Sequence, residues 1–132
     1  MTDFDHERLD VYRAGTEFLL IGDEVADALP RGRAYFADQL RRAAVSICLN
    51  IAEGAGEYGT AEKARFYRIA RRSAKERVAN LDAARILKLS PDVPLATGRN
   101  VLARIVAMLT ALVLRSQEPG SGSGSGAGSG AT

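Results

Sequence analysis

Cysteine, histidine and tryptophan are almost missing from this sequence of 132 residues. It contains one cysteine, Cys48, one histidine, His6, and no tryptophan. A single cysteine excludes an intrachain disulfide and is typical of a protein in a reducing cytoplasm. A single histidine excludes a metal site built from several histidines. The acidic N-terminus, Met1–Asp10, has no long apolar run, so we expect no secretory signal.

Long hydrophobic runs are also missing. The longest, Val101–Leu114, is too short to span a bilayer and is interrupted by Arg104. We therefore expect a cytoplasmic protein with no membrane partner. Aromatic residues make up only 6% of the chain, so the core must be packed mainly from small and aliphatic side chains. Such a core requires helices that approach each other closely.

Few residues are suited to catalysis. Cys48 has no histidine near it in sequence, and we predict a small helix residue that projects off the core axis rather than a nucleophile. Glu53 and Glu76 could meet across two helices, where a polar or ion-paired contact is favoured over an acid–base pair. We therefore predict no enzymatic activity, no catalytic residue, no metal and no cofactor.

Helical periodicity dominates residues 1–119 and predicts one all-α domain, an up-down-up-down antiparallel four-helix bundle. The predicted helices span Glu7–Leu29, Arg33–Gly54, Thr60–Leu89, with Thr60 as N-cap, and Thr97–Gln117. The remaining residues, Gly120–Thr132, are nearly all glycine and serine, which is typical of a flexible linker of native or engineered origin.

Each predicted helix has an apolar side. In the first helix two heptad series form the seam, Val11, Phe18 and Val25 and then Ala14, Ile21 and Ala28. Gly15 and Gly22 lie beside it, where they would allow close approach of another helix. The third helix places Phe66, Ala70, Ser73, Leu81 and Ala84 toward the core, with Tyr67 and Ala74 adjacent. The fourth has a broad face of Leu102, Ile105, Val106, Leu109, Leu112 and Val113.

The stretch Gln39–Gly54 of the second helix has three zones instead of the usual two. Its apolar side consists of Phe36, Leu40, Ala43, Ile47, Ile51 and Gly54. A polar strip on one flank consists of Gln39, Ser46, Asn50 and Glu53, and we predict that it forms a seam with a neighbouring helix or subunit. Arg41 and Arg42 point away from the apolar side. Three glycines that follow, Gly54, Gly56 and Gly59, lack the GxxxxGK[ST] spacing of a phosphate loop, so we predict that they end the helix.

Charge is distributed unevenly along the chain. The net charge is only +2, but Met1–Leu29 holds eight acidic and two basic residues, and Ala61–Leu89 holds nine basic and three acidic residues. Such asymmetry is typical of a surface for nucleic acid or an acidic partner. It is equally expected if an acidic helix lies beside a basic helix in the same bundle.

The basic residues of the third helix gather opposite its core side. Arg68, Arg71, Arg72 and Lys75 form this group, with Arg65 at its edge. They are suited to phosphate contact, although a solvated face has the same pattern. Arg77 instead projects close to the core side, where an unpaired charge would be costly. We expect it to pair with Glu53, Glu17 or Glu76, or to lie in a subunit interface.

The motif QLRRAAVSICLNIAEG, Gln39–Gly54, closely resembles that of bacterial four-helix bundle proteins encoded in intervening sequences of 23S ribosomal RNA genes. The start, ERLDVYRAG at Glu7–Gly15, is similar to the N-terminal helix of that family. A further block in the third helix is similar at Phe66, Ile69–Ala70, Ser73, Glu76 and Leu81. The chain departs from the pattern at Cys48 and Leu49, where proline and a small polar residue are frequent. It departs again at Arg77 and Val78, where leucine and an acid are usual.

The resemblance implies a homo-oligomer, a pentameric ring in relatives, and a relationship to the accessory variability determinant proteins of diversity-generating retroelements. Those proteins bind nucleic acid and a reverse transcriptase, so RNA or DNA, a reverse transcriptase and copies of the chain itself are the expected partners. We predict a non-enzymatic oligomeric adaptor that binds nucleic acid through Arg65, Arg68, Arg71, Arg72 and Lys75, with Arg41 and Arg42.

The sequence also allows two alternatives. In the first, the chain is a structural or protein-interaction module, and the basic helix of one subunit faces the acidic helix of another. In the second, prompted by the Gly/Ser-rich tail, it is an engineered oligomer or fusion scaffold.

Overall fold

A computed structural model describes His6 and residues 9–117 of the protein. Four α-helices follow one another, α1 (Asp10–Ala28), α2 (Ala34–Gly56), α3 (Thr60–Ile86) and α4 (Asp92–Gln117). A short 3₁₀ turn, Arg31–Arg33, joins α1 to α2. The predicted helix start at Glu7 and the Gly/Ser-rich tail lie outside the described residues.

The four helices form an antiparallel bundle, which confirms the predicted fold. α1 packs against α2 and α4, and α3 packs against the same two helices. Contacts run in opposite directions along each neighbouring pair; for example, Gly54 of α2 meets Tyr67 of α3, and Gln39 meets Arg77. α1 and α3 therefore lie at opposite corners of the bundle.

The core is built from the apolar sides that the sequence indicates. The most fully buried large side chains come from all four helices: Phe18, Val25, Leu40, Ile47, Ile51, Leu81, Leu102, Ile105 and Leu109. In α1 the first heptad series is buried, but Ile21 is only partly buried and Ala28 is exposed. A straight α-helix drifts from a strict seven-residue repeat, which moves the second series out of the core. Gly15 and Gly22 are buried instead, as their predicted role in close approach requires.

Several predicted helix ends are wrong. Thr60 is not the N-cap of α3, because Gly59 takes that position and no side chain caps the helix. α3 ends at Ile86 rather than Leu89, since Lys88 has a φ of 56° and leaves the helical region. α4 begins at Asp92, five residues before the predicted start, because proline is tolerated in a first helical turn, where its missing N–H has no intrahelical acceptor.

The second helix ends within the predicted run of glycines, at Gly56, two residues beyond the predicted bound at Gly54. A Cβ on Gly54 would lie 2.6 Å from Cε1 of Tyr67, so this glycine gives the tyrosine ring its space. The core side of α3 is accordingly centred on Tyr67 and Ala74, and the predicted core residues Phe66 and Ser73 are only partly buried.

By length and composition α4 is apolar enough to cross a membrane, the one such helix within the described residues. The apolar run Val101–Leu114 by itself is too short to span a bilayer, but the whole helix is longer, at 26 residues. A helix packed into a bundle core passes the same test, and α4 packs along both α1 and α3.

Candidate nucleic-acid interface

Four cations lie in line on the side of α3 that faces away from the bundle. They are Arg65, Arg68, Arg72 and Lys75, here called the basic stripe, and all four are exposed. Their spacing of three, four and three residues places them on one helical face. The opposite face of α3 carries its buried residues, so the bundle core orients the stripe toward solvent.

Three members of the basic stripe have no ion-pair or hydrogen-bond partner among the described residues. These are Arg68, Arg72 and Lys75. Arg65 differs, because its Nε lies 2.7 Å from Oε1 of Glu62 and its guanidinium lies 4.5 Å from the ring centre of Phe66. The hydrogen bond between the two side chains raises the pKa of Arg65 and lowers that of Glu62. The basic stripe thus presents three unpaired positive charges and one positive charge that is partly neutralised by Glu62.

Arg71 belongs to the same predicted set but turns toward α4. Its Nη1 donates to Oγ1 of Thr110 at 3.3 Å, and its side chain is half-buried. It adds positive charge along one edge of the basic stripe without pointing outward with it.

Arg41 and Arg42 lie on α2, away from the basic stripe. Arg41 reaches across to α1, where it pairs with Asp23 and Asp27. These contacts raise the pKa of Arg41, with the hydrogen bond to Asp23 as the largest cause. Arg42 is exposed and pairs with Asp38 on its own helix. Both arginines therefore have acidic partners within the chain.

The acidic helix does not neutralise the basic one inside the bundle. α1 lies diagonally across from α3, and its acids pair with neighbouring helices, Asp23 and Asp27 with Arg41 and Glu17 with Arg104. The interpretation in which an acidic helix lies beside the basic helix of the same chain is therefore wrong. Charge on the basic stripe is left without a compensating helix.

Arg77 is buried in the contact between α2 and α3, as its core-side position indicated. Its side chain is only 7% exposed, and Nη2 lies 3.5 Å from Oε1 of Glu76, so Glu76 rather than Glu17 or Glu53 is its acidic neighbour. Nη1 donates to the backbone carbonyl of Gln39 at 3.4 Å, and Nε has no partner. Burial lowers the pKa of Arg77, since the charged form loses its hydration. These long contacts leave the guanidinium incompletely satisfied.

The polar strip of α2 lies along this same contact. Gln39, Ser46 and Asn50 are half-buried, whereas Glu53 is exposed. Nδ2 of Asn50 donates to the carbonyl of Ser46 at 2.9 Å, which ties part of the strip to its own helix.

Three further residues of α2 and α3 could not be singled out from the sequence. Val45 and Leu49 lie on α2 with 47% and 60% of their surface exposed. Oδ1 of Asn80, on α3, is buried and has no hydrogen-bond partner. Periodicity places both apolar residues away from the core, but only the packed bundle shows that none of the described helices covers them.

Cys48 is buried rather than off the core. It packs in the contact between α1 and α2, where a Cβ on Gly15 would lie 3.1 Å from its Sγ. Burial raises the pKa of the thiol to about 11, so the thiol is protonated at neutral pH. Among the described residues, no three His, Cys, Asp or Glu side chains are grouped in a way that would hold a metal ion.

Residues 7–111 match the model of a protein family described as 23S rRNA-intervening sequence protein. The match covers most of the chain, including α1, α2, α3 and most of α4, and it agrees with the resemblance carried by Gln39–Gly54. A comparison with curated proteins gives no significant match.

Proposed function

The chain belongs to the 23S rRNA-intervening sequence protein family, and we propose that it is a non-enzymatic, homo-oligomeric adaptor that binds RNA or DNA. The observation that carries this proposal is the row of exposed, uncommitted cations Arg68, Arg72 and Lys75 on the outward face of α3. Arg65 extends the row toward the start of α3, and Arg71 adds positive charge along one edge.

The basic stripe suits the sugar–phosphate backbone better than base edges. Arg65 and Lys75 are ten positions apart on α3, which corresponds to about 15 Å at the rise of an α-helix. Cations in a line of this length can contact several phosphates, and such contacts carry no sequence information. We therefore expect weak sequence preference and an affinity that falls steeply as salt concentration rises.

Neutralising the stripe tests this proposal. The variant Arg68→Gln, Arg72→Gln, Lys75→Gln should lose most of its affinity for a nucleic-acid duplex, measured by fluorescence anisotropy at several salt concentrations. On duplex DNA, the slope of log affinity against log salt should become shallower by about 0.9 for each phosphate that the variant no longer neutralises.

A matched control removes the same net charge elsewhere. Arg13→Gln, Arg99→Gln, Arg104→Gln acts on α1 and α4, where each arginine pairs with an acid at the surface and contributes little to stability. This control should bind nearly as the wild type does. Equal reductions of affinity in the two variants would show that only net charge matters, and the absence of any complex with the wild type would reject the proposal.

Self-association is supported by the contact between α2 and α3. There the guanidinium of Arg77 is incompletely satisfied and Oδ1 of Asn80 has no partner among the described residues. Elsewhere on α2, Val45 and Leu49 are exposed. A second copy placed over Val45 and Leu49 would cover exposed apolar area. The resemblance to ring-forming relatives implies five copies.

The charge layout also supports a second candidate function, a protein-interaction module without nucleic acid. The acidic helix α1 and the basic helix α3 occupy opposite corners, so the outward sides of the two can face each other in neighbouring copies. Most acids of α1 would then be shared with the arginines that they already contact in their own chain. Mass measurement across a salt series separates the two candidates. In the module, high salt would dissociate the oligomer because charged surfaces hold it together, whereas in the adaptor high salt releases the nucleic acid and leaves the oligomer intact.

A further inference from the structure

Two connections of the chain come together at one end of the bundle. Since the helices alternate in direction, the α1–α2 connection and the α3–α4 connection lie at the same end. Together they bring four cations to this end: Arg31, Arg33, Arg85 and Lys88. All four are exposed, and the structure shows no ion-pair or hydrogen-bond partner for any of their side chains among the described residues.

Acidic residues near this end are already engaged by other arginines. The pairs are Asp27 with Arg41, Asp38 with Arg42, and Asp82 with Arg99. Only Glu24 and Asp92 remain near it without such a partner in the described structure. This end of the bundle therefore carries more unpaired positive charge than unpaired negative charge.

An exposed aromatic ring lies at the same end of the bundle. Tyr35 is the second residue of α2, two residues after Arg33, and its side chain is 81% exposed. It has no ring, cation or hydrogen-bond contact within the described structure. An exposed aromatic face next to free cations has the chemistry of a stacking platform for a nucleic-acid base.

The basic stripe lacks such a platform. Phe66 is the aromatic residue nearest to it, but the ring is half-buried and its face is covered by the Arg65 guanidinium. The stripe can therefore hold phosphates, and the end of the bundle adds an aromatic surface for an unpaired base.

We propose that the bundle end formed by Arg31, Arg33, Tyr35, Arg85 and Lys88 is a separate nucleic-acid contact that takes an unpaired nucleotide. An unpaired base stacks on Tyr35, and the four cations contact the phosphates around it. This inference rests on the proposed function of the basic stripe. Lys75 and Arg85 are ten positions apart on α3, about 15 Å along the helix, so one ligand can reach both places. The ligand class is then a duplex with a single-stranded extension.

The test compares a blunt duplex with the same duplex carrying a short single-stranded extension. Wild-type protein should bind the extended form about 5- to 100-fold more tightly, since stacking of one base on an aromatic ring has an effect of that order. Tyr35→Ala should reduce this difference by at least about 5-fold, the part that stacking provides, and leave the affinity for the blunt duplex unchanged. Tyr35→Phe should retain it, because the ring and not the hydroxyl provides the stacking surface.

Tyr58 offers a matched control. It is 93% exposed, lies in the α2–α3 connection at the other end of the bundle, and follows Glu57 instead of free arginines. Tyr58→Ala should keep the full preference for the extended duplex. A second variant, Arg85→Gln with Lys88→Gln, should weaken binding of the extended duplex more than binding of the blunt one.

The outcomes separate this inference from the proposed function. Suppose that wild-type protein binds duplex, but that Tyr35→Ala keeps the full preference for the extended duplex or Tyr58→Ala loses it equally. The contact at the bundle end is then rejected, and the proposed binding by the basic stripe is unaffected. If the wild type shows no preference for the extended duplex, the contact is likewise rejected. If the wild type binds neither ligand, both are rejected. Because Tyr35 is exposed, its variants should fold normally, which circular dichroism checks.

Discussion

At the scale of single residues, close packing decides more than chemical reactivity. Gly15, Gly54 and Gly98 each lie where an added Cβ would press on a neighbouring helix. The tightest place is Gly54, where the nearest atoms belong to the stiff ring of Tyr67 and cannot move aside easily. A core with few aromatic residues uses such glycines to let its helices approach.

Replacement of Gly54 by alanine should therefore destabilise the protein. We expect a loss of about 1–3 kcal/mol, since overpacking a filled site shifts the ring or the helix. Gly56→Ala is the control, because no atom lies within 4 Å of the added Cβ and alanine favours the helix. Urea unfolding of both variants measures the difference, and similar midpoints for the two would contradict a packing role for Gly54.

Cys48 should react slowly in the folded protein. A thiol pKa of about 11 instead of its ordinary 9.0 leaves about 100-fold less thiolate at neutral pH, and the thiolate is the reactive form. Because the pKa is raised in the folded state, the protonated thiol contributes to the free energy of unfolding. This contribution is fully present below pH 9.0 and is lost as pH rises toward about 11. Iodoacetamide labelling followed by mass spectrometry checks the first point. Equal labelling rates in buffer and in urea would show that the thiol is not protected.

At the scale of elements, α3 carries most of the functional argument. Its inward side packs against the core, its outward side presents the basic stripe, and its flank toward α2 holds Arg77. The C-terminal end has a Schellman arrangement, in which the N–H of Leu89 donates to the carbonyl of Ala84 and that of Lys88 to Arg85. Lys88 occupies the left-handed position that glycine favours.

Lys88→Gly should stabilise the fold and weaken nucleic-acid binding. The strain energy of a left-handed lysine is larger than the free-energy cost of the extra chain entropy of glycine. We therefore expect the free energy of unfolding to rise by about 0.5–1 kcal/mol. Lys88→Ala provides the comparison, since it removes the charge but keeps a Cβ in the strained position. Thermal unfolding and binding to the extended duplex measure the two effects. If alanine stabilises as much as glycine, the gain does not come from the backbone conformation.

At the scale of the whole molecule, the arrangement of charge follows from the bundle topology. Neighbours in an up-down bundle are neighbours in sequence, so the first and third helices are placed diagonally. Acids of α1 are matched by arginines of α2 and α4, and the cations Arg68, Arg72 and Lys75 of α3 have no such match among the described residues. A chain with a net charge of +2 thus carries a concentrated positive surface.

Arg77→Leu should leave the isolated bundle folded but reduce the mass of the oligomer. A buried, weakly paired arginine contributes little stability to one chain, and leucine fills similar space without a desolvation cost. Glu76→Gln is the control, because it removes only the neighbour within the same chain. Light scattering after size exclusion gives the mass, with circular dichroism to confirm folding. An unchanged mass for Arg77→Leu would exclude Arg77 from the assembly surface.

The sequence alone predicts the fold class and most of the core, because a periodicity near 3.6 residues assigns each helix an inward side without reference to its neighbours. Leu40, Ile47 and Ile51 are buried as predicted for that reason. Helix ends are less accurate, because they depend on local backbone conformation, as at Lys88 and Pro94. The packing role of Gly54 is not predicted for a different reason: its need for space arises from the Tyr67 ring on another helix.

The candidate site is likewise predicted from the sequence only in part. Sequence spacing is enough to place Arg68, Arg72 and Lys75 on one face, because they share a single helix. The tertiary structure decides which cations are free: it engages Arg41 with α1, turns Arg71 toward Thr110, and leaves the stripe facing solvent. It also brings the connection at Arg31–Arg33 and the end of α3 to one end of the bundle. Those outcomes depend on which helices become neighbours, and that is set by packing of the whole chain rather than by any one segment.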